Sequence, residues 1–333
     1  MPKYQSWIRR EVTIERVAAT TRIEGADLDD EAVSNLKKRA PTGRPSESEQ
    51  ANIDAIAAYE FIDYLSEVPD LPIDELVIRE INREFLRGAP SGKMPGQYRT
   101  GQNHEGPYTP PNQADVPPLM RGFGRWLAKG DEDMHPVVRA GLAHVHLVAI
   151  HPFWDGNGRT ARGLATLILQ RSPFNFRNLL SLERMIEITK TEYFSTIERT
   201  LGMHFSRKYD ATYWLEFFGR IIAAEAGRLE VKLTDWHRQI EQVQNGLLDE
   251  GLNHRQVDGV IYAARAGQIT RPDYIEITGA SGPTASRDLA DLATKGWLIP
   301  KGKTRSRVYH YPKDEDEQQL RLFKASARRE TSD

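Results

Sequence analysis

The sequence predicts a mostly α-helical protein with a small amount of β structure, and three observations carry that expectation. Apolar residues recur at helical spacing: Ile73, Val77, Ile81 and Phe85 fall every four residues, and Ile53, Ile56, Ala57 and Phe61 mark a second stripe. Proline and glycine crowd the stretch 89–118, which reads as loop with room for one small hairpin over Tyr98–Tyr108. After Gly251 the pattern changes to short elements in which helix and strand signals mix.

Taken in order, Thr13 to Glu24 reads as a short helix stopped by Gly25, which supplies the left-handed backbone a helix end favours. The two stripes give helices before the loop. Helical character returns at Pro117 and runs through Phe123, Trp126 and Leu127, past Val137, to Ile150. It breaks at His151-Pro152 and resumes near Gly158, and further helices reach about Leu247. The residues from Pro312 onward are mixed in charge and poor in apolar side chains, as expected of a loose tail.

Composition narrows the function. A length of 333 residues, at about 150 per domain, suggests two domains. With 45 Lys and Arg against 47 Asp and Glu, the net charge of −2 excludes a chain basic throughout, so any nucleic-acid contact must be a local patch. The absence of cysteine removes disulfides, thiolate metal sites and cysteine nucleophiles, and a cytoplasmic location is expected. The first residues hold no apolar signal core, and no run approaches the ~18 apolar residues that span a bilayer.

The chemistry concentrates in His151-Pro-Phe-Trp-Asp-Gly-Asn-Gly-Arg-Thr-Ala-Arg162. Read physically, this is a helix end, a tight turn and a new helix start. Gly156 and Gly158 let a ligand approach the backbone, and the N–H groups opening the next helix suit phosphate. Arg159 and Arg162, three apart, project from nearly one face as a polyphosphate clamp. Asp155 is the one carboxylate and is suited to magnesium, while His151 is placed to take a proton from an attacking hydroxyl. His144, His146 and His151 are spaced so that they do not share one helical face, which argues against a metal cluster.

These twelve residues resemble the Fic-family signature H-x-F-x-[D/E]-G-N-G-R-x-x-R at every fixed position. The resemblance implies an all-helical core with a β-hairpin flap, and transfer of AMP from ATP to a protein hydroxyl. It implies that His151 is the general base, that Phe153 anchors the loop and that Asp155 holds Mg2+. Gly156, Asn157 and Gly158 would cradle the α- and β-phosphates, with Arg159 on the β-phosphate side and Arg162 on the γ-phosphate. The kinase-like Doc relatives carry lysine where this chain has Gly158, which favours AMP transfer over phosphate transfer; UMP and phosphocholine transfer stay open.

Three further segments resemble the family more loosely. Thr100, Gly101, Gln102 and Asn103 stand where the flap would pair with the target's main chain, a mode of binding carried by backbone bonds. Thr20-Thr-Arg-Ile-Glu24-Gly25 matches the inhibitory motif [S/T]-x-x-x-E-[G/N], which implies that Glu24 pairs with Arg162 and denies it the γ-phosphate. Tyr193-Phe194 stands where relatives place aromatics beside adenine, or is ordinary core.

Residues Ile269 to Tyr311 resemble a winged helix. Pro272 starts one helix, Thr278-Gly279 makes the turn, Pro283 to Arg287 opens a second helix, and Trp297-Leu298-Ile299 leads as a strand into the wing. From Gly251 to Pro312 there are nine Lys and Arg against five Asp and Glu, and Lys301, Lys303, Arg305 and Arg307 give the wing four cations with no acid. Such a wing sits on DNA phosphates or serves as a protein-docking or dimerisation module.

The expected organisation is therefore a helical Fic core with a small β-hairpin flap and a C-terminal winged helix. Its parts are a helical region with the inhibitory helix over 1–75, the catalytic domain over 76–222, a linking helix over 223–250, the winged helix over 251–312 and the tail over 313–333. The expected partners are ATP, a target protein, a second copy of the chain and, through the wing, DNA. The contrasting expectation is a DNA-binding regulator whose Fic fold only senses nucleotide.

Overall fold

The computed structural model describes residues 5–38, 41, 43–89, 92, 94–104, 106–129, 134–302 and 307–312. It divides into two compact units, Arg9–Leu229 and a second made of Met1–Ile8 with Glu230–Asp333.

The first unit is built from α1 (Gln5–Ile23), α2 (Asp30–Lys38), α3 (Glu47–Ser66), α4 (Glu75–Phe85), α5 (Val116–Lys129), α6 (Pro136–Ile150), α7 (Asn157–Gln170), α8 (Leu182–Ile188), α9 (Lys190–Leu201) and the first half of α10 (Thr212–Asp249). Its helix starts are written in sequence. Ser46 and Glu49 close a capping box on α3, and Asp74 accepts from Leu76 N and Val77 N at the head of α4. α1 begins at Gln5, earlier than the expected Thr13.

The single run expected from Pro117 to Ile150 is two helices. Pro136 occupies the first turn of α6, and a residue that precedes proline is pushed out of helical geometry.

α7 is the centre of the unit. All its residues except Gly158 are buried, including the polar Asn157, Arg159, Arg162 and Gln170. A Cβ at Gly163 would lie 2.8 Å from Ile62 and 2.9 Å from Phe85, so the glycine lets α3 and α4 close onto α7. On α6, the Trp214 indole donates to the Gly141 carbonyl at 2.7 Å and seats α10. The N-terminal helical region 1–75 contributes Val17, Ala18, Tyr59 and Ile62 to the same core as Leu164 and Phe217.

The hairpin expected over Tyr98–Tyr108 is an irregular loop with no ladder of its own among the described residues. Tyr98 bridges to Phe153 and Thr109 bridges to His204, so the segment spends its backbone groups on other parts of the fold.

The second unit holds the rest of α10, then α11 (His254–Ala266), β1 (Gln268–Thr270), α12 (Arg271–Thr278), α13 (Gly282–Thr294), β2 (Ile299–Lys301) and β3 (Val308–His310). The strands form an antiparallel sheet in the order β1-β3-β2, with Ile269 and Pro300 both opposite Tyr309. Ile269, Tyr274, Leu289 and Leu292 are buried at its core. Gly279, at φ 67°, ends α12 at the expected turn. The strand begins at Ile299, with Trp297 still in the turn before it. Lys303, Arg305 and the tail 313–333 lie outside the described residues.

Candidate active site

The loop between α6 and α7 gathers most of the residues singled out in the sequence. His151 caps α6 in left-handed geometry (φ 46°, ψ 59°), uncommon for a residue with a side chain. Arg99 holds it there: its Nε donates to the His151 carbonyl at 2.9 Å, and its backbone N–H donates to Pro152 O at 2.9 Å. Phe153 is buried in the core. Asn157 clamps the turn, accepting from Phe153 N at 3.0 Å and donating to Phe153 O at 2.9 Å.

A residue that sequence reasoning passed over finishes the scaffold. Asn82 is fully buried in the apolar stripe of α4. Its amide donates to Asp155 O at 3.0 Å and Thr160 Oγ1 at 3.1 Å, and its Oδ1 accepts from Gly96 N at 2.9 Å. The available signal was an asparagine one step from Ile81 in an otherwise apolar face.

Gly156 caps α7 at φ 75° with no side-chain cap, leaving the first-turn N–H groups as donors for an anion. Arg159 reaches Asp155 Oδ1 at 3.1 Å, and Gly156 N donates to the same oxygen at 2.5 Å. Arg162 is 1% exposed and is gripped from α1: Nε donates to Thr20 Oγ1 at 3.0 Å, and Nη2 donates to Thr20 O at 3.2 Å and Glu24 Oε1 at 2.6 Å. Thr20 and Glu24, one helical turn apart, therefore hold one guanidinium together.

Glu24 lies directly over the anion site. A Cβ at Gly158 would come 2.7 Å from Glu24 Oε1. Desolvation pushes the Glu24 carboxyl up, but Arg162 and then Arg159 outweigh it and hold the group below the usual carboxylate range. Burial, reinforced by the Arg99 charge, pulls His151 down to about 4, so its imidazole is neutral near pH 7. A cleft of about 760 Å³ opens beside the turn, lined among others by Glu24, Asp155, Arg159, Arg44, Ser46 and Asp54.

The flap residues lie close to this loop. Gly101 rests on Trp154, whose ring would be 2.9 Å from an added Cβ. Asn103 donates to Phe153 O at 3.4 Å, Gln102 donates to Pro110 O at 3.0 Å, and Thr100 is exposed.

Tyr193 departs from expectation. It is 1% exposed, its hydroxyl lies 3.1 Å from His144 Nε2, and its ring packs against Trp214 and Phe217. It is a core residue and does not line the cleft; its neighbour Phe194 is the exposed ring of the pair. His144 stacks on Trp214 and His146 bonds Tyr209, and among the described residues no group of three His, Asp or Glu is placed to hold a metal.

Within this geometry, the Fic/DOC family model matches residues 72–169, the span that runs from α4 through the signature loop to the end of α7. Over that span the chain is similar to the Fic/DOC family. The chain is 46% identical over 80 residues to a protein adenylyltransferase Fic from Drosophila ananassae, covering 24% of this chain and 16% of that protein. It is 42% identical over 105 residues to the protein of that name from Nematostella vectensis, covering 31% and 24%. The alignments thus span at most a quarter of these relatives, and Glu24 lies outside the matched family span. Among solved structures, a Fic family protein from Desulfovibrio desulfuricans shares the fold with TM-score 0.57 at 22% identity, over 92% of this chain and 87% of that one. A fragment of Fic-1 from C. elegans aligns with TM-score 0.50 at 26% identity, over 66% and 64%.

Proposed function

We propose that this chain is a protein adenylyltransferase that moves AMP from ATP to a hydroxyl side chain of a target protein, itself included. One observation carries the reading. A neutral, buried His151 sits at the edge of an uncapped helix N-terminus flanked by Arg159 and Arg162. A proton acceptor beside a polyphosphate cradle suits attack by a hydroxyl on phosphorus. The hydroxyl oxygen forms a bond to the α-phosphorus, the bond from that phosphorus to the β-phosphate bridging oxygen breaks, pyrophosphate leaves, and His151 takes the hydroxyl proton. With Gly156 turning the chain, the amides of Asn157 and Gly158 and the guanidinium of Arg159 neutralise the phosphates. The fate of pyrophosphate's terminal charge rests on Arg162.

The donor set fits Mg2+. A single half-buried carboxylate, Asp155, beside a phosphate site matches an ion that keeps most of its ligands as water and substrate oxygens. When bound, that ion supplies Lewis-acid neutralisation of the phosphates.

Glu24 makes the resting state autoinhibited, because its carboxylate and a γ-phosphate compete for one guanidinium. The same carboxylate, facing the cleft, is placed to orient water for removal of AMP. We read the chain as a cytoplasmic enzyme with the catalytic domain over 76–222, the inhibitory helix in 1–75 and a winged helix over 251–312. The helix and strand order of the second unit supports that last assignment, and the partners of such a module are DNA or a second copy of the chain. UMP or phosphocholine transfer, or nucleotide sensing by a DNA-binding regulator, are the competing readings.

The test is intact mass after incubation with ATP and magnesium, alone and with candidate targets, with UTP and CDP-choline as parallel donors. A gain of one AMP that requires His151 supports the reading. No gain with any donor by wild type or by Glu24→Gly, together with tight ATP binding, supports the sensor.

A further inference from the structure

A second cavity, of about 220 Å³, shares no lining residue with the phosphate cleft. Its walls are rings. Phe123 and Trp126 come from α5, His146 from α6, and Phe205 and Tyr209 from the loop before α10. Phe123 and Trp126 stack with centroids 5.9 Å apart and planes 17° apart, and both meet the His146 ring edge-on at 6.0 and 5.8 Å. Tyr209 closes the opposite side, its hydroxyl bonded to His146 Nδ1. The Tyr209 hydroxyl and His146 Nδ1 satisfy each other, so these two side chains turn mainly ring surface toward the cavity. Rings braced in this way offer a flat, preformed slot that loses little entropy when filled.

The charge at the mouth is one-signed. Arg207 lines the cavity and is exposed, and the preceding and following residues His204, Phe205, Ser206 and Lys208 bring no acid. The nearest carboxylate in sequence, Asp210, is turned to the head of α10, where it accepts from Thr212 N at 2.9 Å and Thr212 Oγ1 at 2.6 Å. Ser206 is also committed, bonding Lys208 N at 3.1 Å and Lys208 O at 3.2 Å, which shapes the turn that presents Arg207. An aromatic box alone would suit a quaternary cation as well as a neutral ring, but a cation would meet Arg207 with no counter-charge.

We propose that this cavity is a binding site for a small planar aromatic carboxylate, its ring slotted between Trp126 and Tyr209 and its anionic group paired with Arg207. A volume of this size accommodates one or two fused rings. The loop that supplies Phe205 is bonded on both sides to the end of the flap, with Thr109 N donating to Met203 O at 2.9 Å and Phe205 N donating to Thr109 O at 3.0 Å. A ligand in the slot therefore bears on the flap segment without entering the phosphate cleft.

The experiment is calorimetric titration of the full chain with 2-naphthoate, 2-naphthol and a naphthyl trimethylammonium ion. Saturable binding of naphthoate, about tenfold tighter than naphthol and with no saturation by the cation, is expected. Arg207→Gln, a surface change, should weaken naphthoate about tenfold and leave naphthol unchanged. Leu119→Trp, which fills the cavity from a half-buried position, should remove both. Failure of naphthoate to saturate, equal affinity for all three probes, or indifference to Arg207→Gln would overturn the proposal. So would saturation by an acidic, phenylalanine-containing peptide where naphthoate does not bind, which would make the slot a protein-docking site. None of these outcomes depends on AMP transfer, so the proposal stands or falls apart from the function proposed above.

Discussion

Replacing Glu24 by glycine removes the carboxylate from Arg162 while leaving the arginine where it is. Thr20 still accepts from Nε at 3.0 Å and from Nη2 at 3.2 Å, so the guanidinium stays oriented toward the anion site. Glu24 lies one residue past the end of α1, so the substitution adds no glycine to the helix interior. Two unit charges at about 4 Å attract by roughly 4 kcal/mol at an effective dielectric of about 20. The Glu24 side chain keeps 39% of its surface exposed, so solvent reduces that figure, and a charge-assisted bond of about 1.5–3 kcal/mol is the usable estimate. On the proposed function that is the energy a γ-phosphate must overcome in the wild type, and its removal should raise productive ATP binding roughly tenfold to a hundredfold. The assay is AMP incorporation from labelled ATP by wild type, Glu24→Gly, Arg162→Ala and the double variant. The gain should vanish in the double variant, because both changes act on one contact. Because the Glu24 carboxyl is held below its ordinary range, the ion pair is complete above the usual carboxylate pKa and is lost only as pH falls through the lowered value. The ratio of variant to wild-type activity should accordingly be flat from neutral pH down to mildly acidic pH. Equal incorporation by wild type and Glu24→Gly would refute the reasoning.

His151→Ala should abolish transfer while ATP affinity, measured by calorimetry in the Glu24→Gly background, changes little. With the imidazole pulled down to about 4, transfer should show no titration near 6.5, and the stability that the neutral His151 contributes should decline as pH falls from about 6.5 toward 4. Asn82→Ala strips three partners from a fully buried position and should destabilise the protein by about 2–3 kcal/mol in chemical denaturation, whereas a purely local role in α4 would show well under 1. For the second unit, DNA binding should weaken steeply with salt and fall with Arg307→Ala, whereas salt-insensitive self-association with no DNA shift would assign that unit to dimerisation.

The signature was legible because its residues act on one another across a few positions. Glycines that turn the chain, an amide that clamps the turn and two arginines on one helix face are all local relations. Asn82 and Arg99 were not legible as supports, since their partners lie 73 and 52 residues away and nothing near them in sequence announces the contact. The missing hairpin has the same cause. The expected hairpin ran over Tyr98–Tyr108, yet Phe153 takes the bridge of Tyr98 and His204 that of the adjoining Thr109. At Tyr193-Phe194 the sequence shows two adjacent rings and leaves open which one α9 turns inward; it is Tyr193, whose ring packs edge-on against His144 and Trp214.

On the proposed function, the anchoring of α1 decides how inhibition is relieved. Arg16, 1% exposed, donates to Leu180 O at 3.0 Å and lies 3.7 Å from Glu183, which is itself fully buried and accepts from Tyr59 at 2.7 Å and Thr166 at 2.8 Å. Further along, Arg22 pairs with Glu187 at 2.5 Å and Asp30 at 2.9 Å. Pulling α1 away would leave Glu183 buried without its cation, at a cost of about 3–5 kcal/mol before any apolar surface is counted. Swinging the Glu24 side chain into the adjoining cleft breaks only the contact with Arg162, about 1.5–3 kcal/mol, and delivers the carboxylate to solvent. The cheaper motion is the side chain's, and the group that gains most from it is a γ-phosphate arriving at the same guanidinium. Relief of inhibition is thus a competition for Arg162 inside a fixed scaffold, with Thr20 keeping the arginine in place for whichever anion wins.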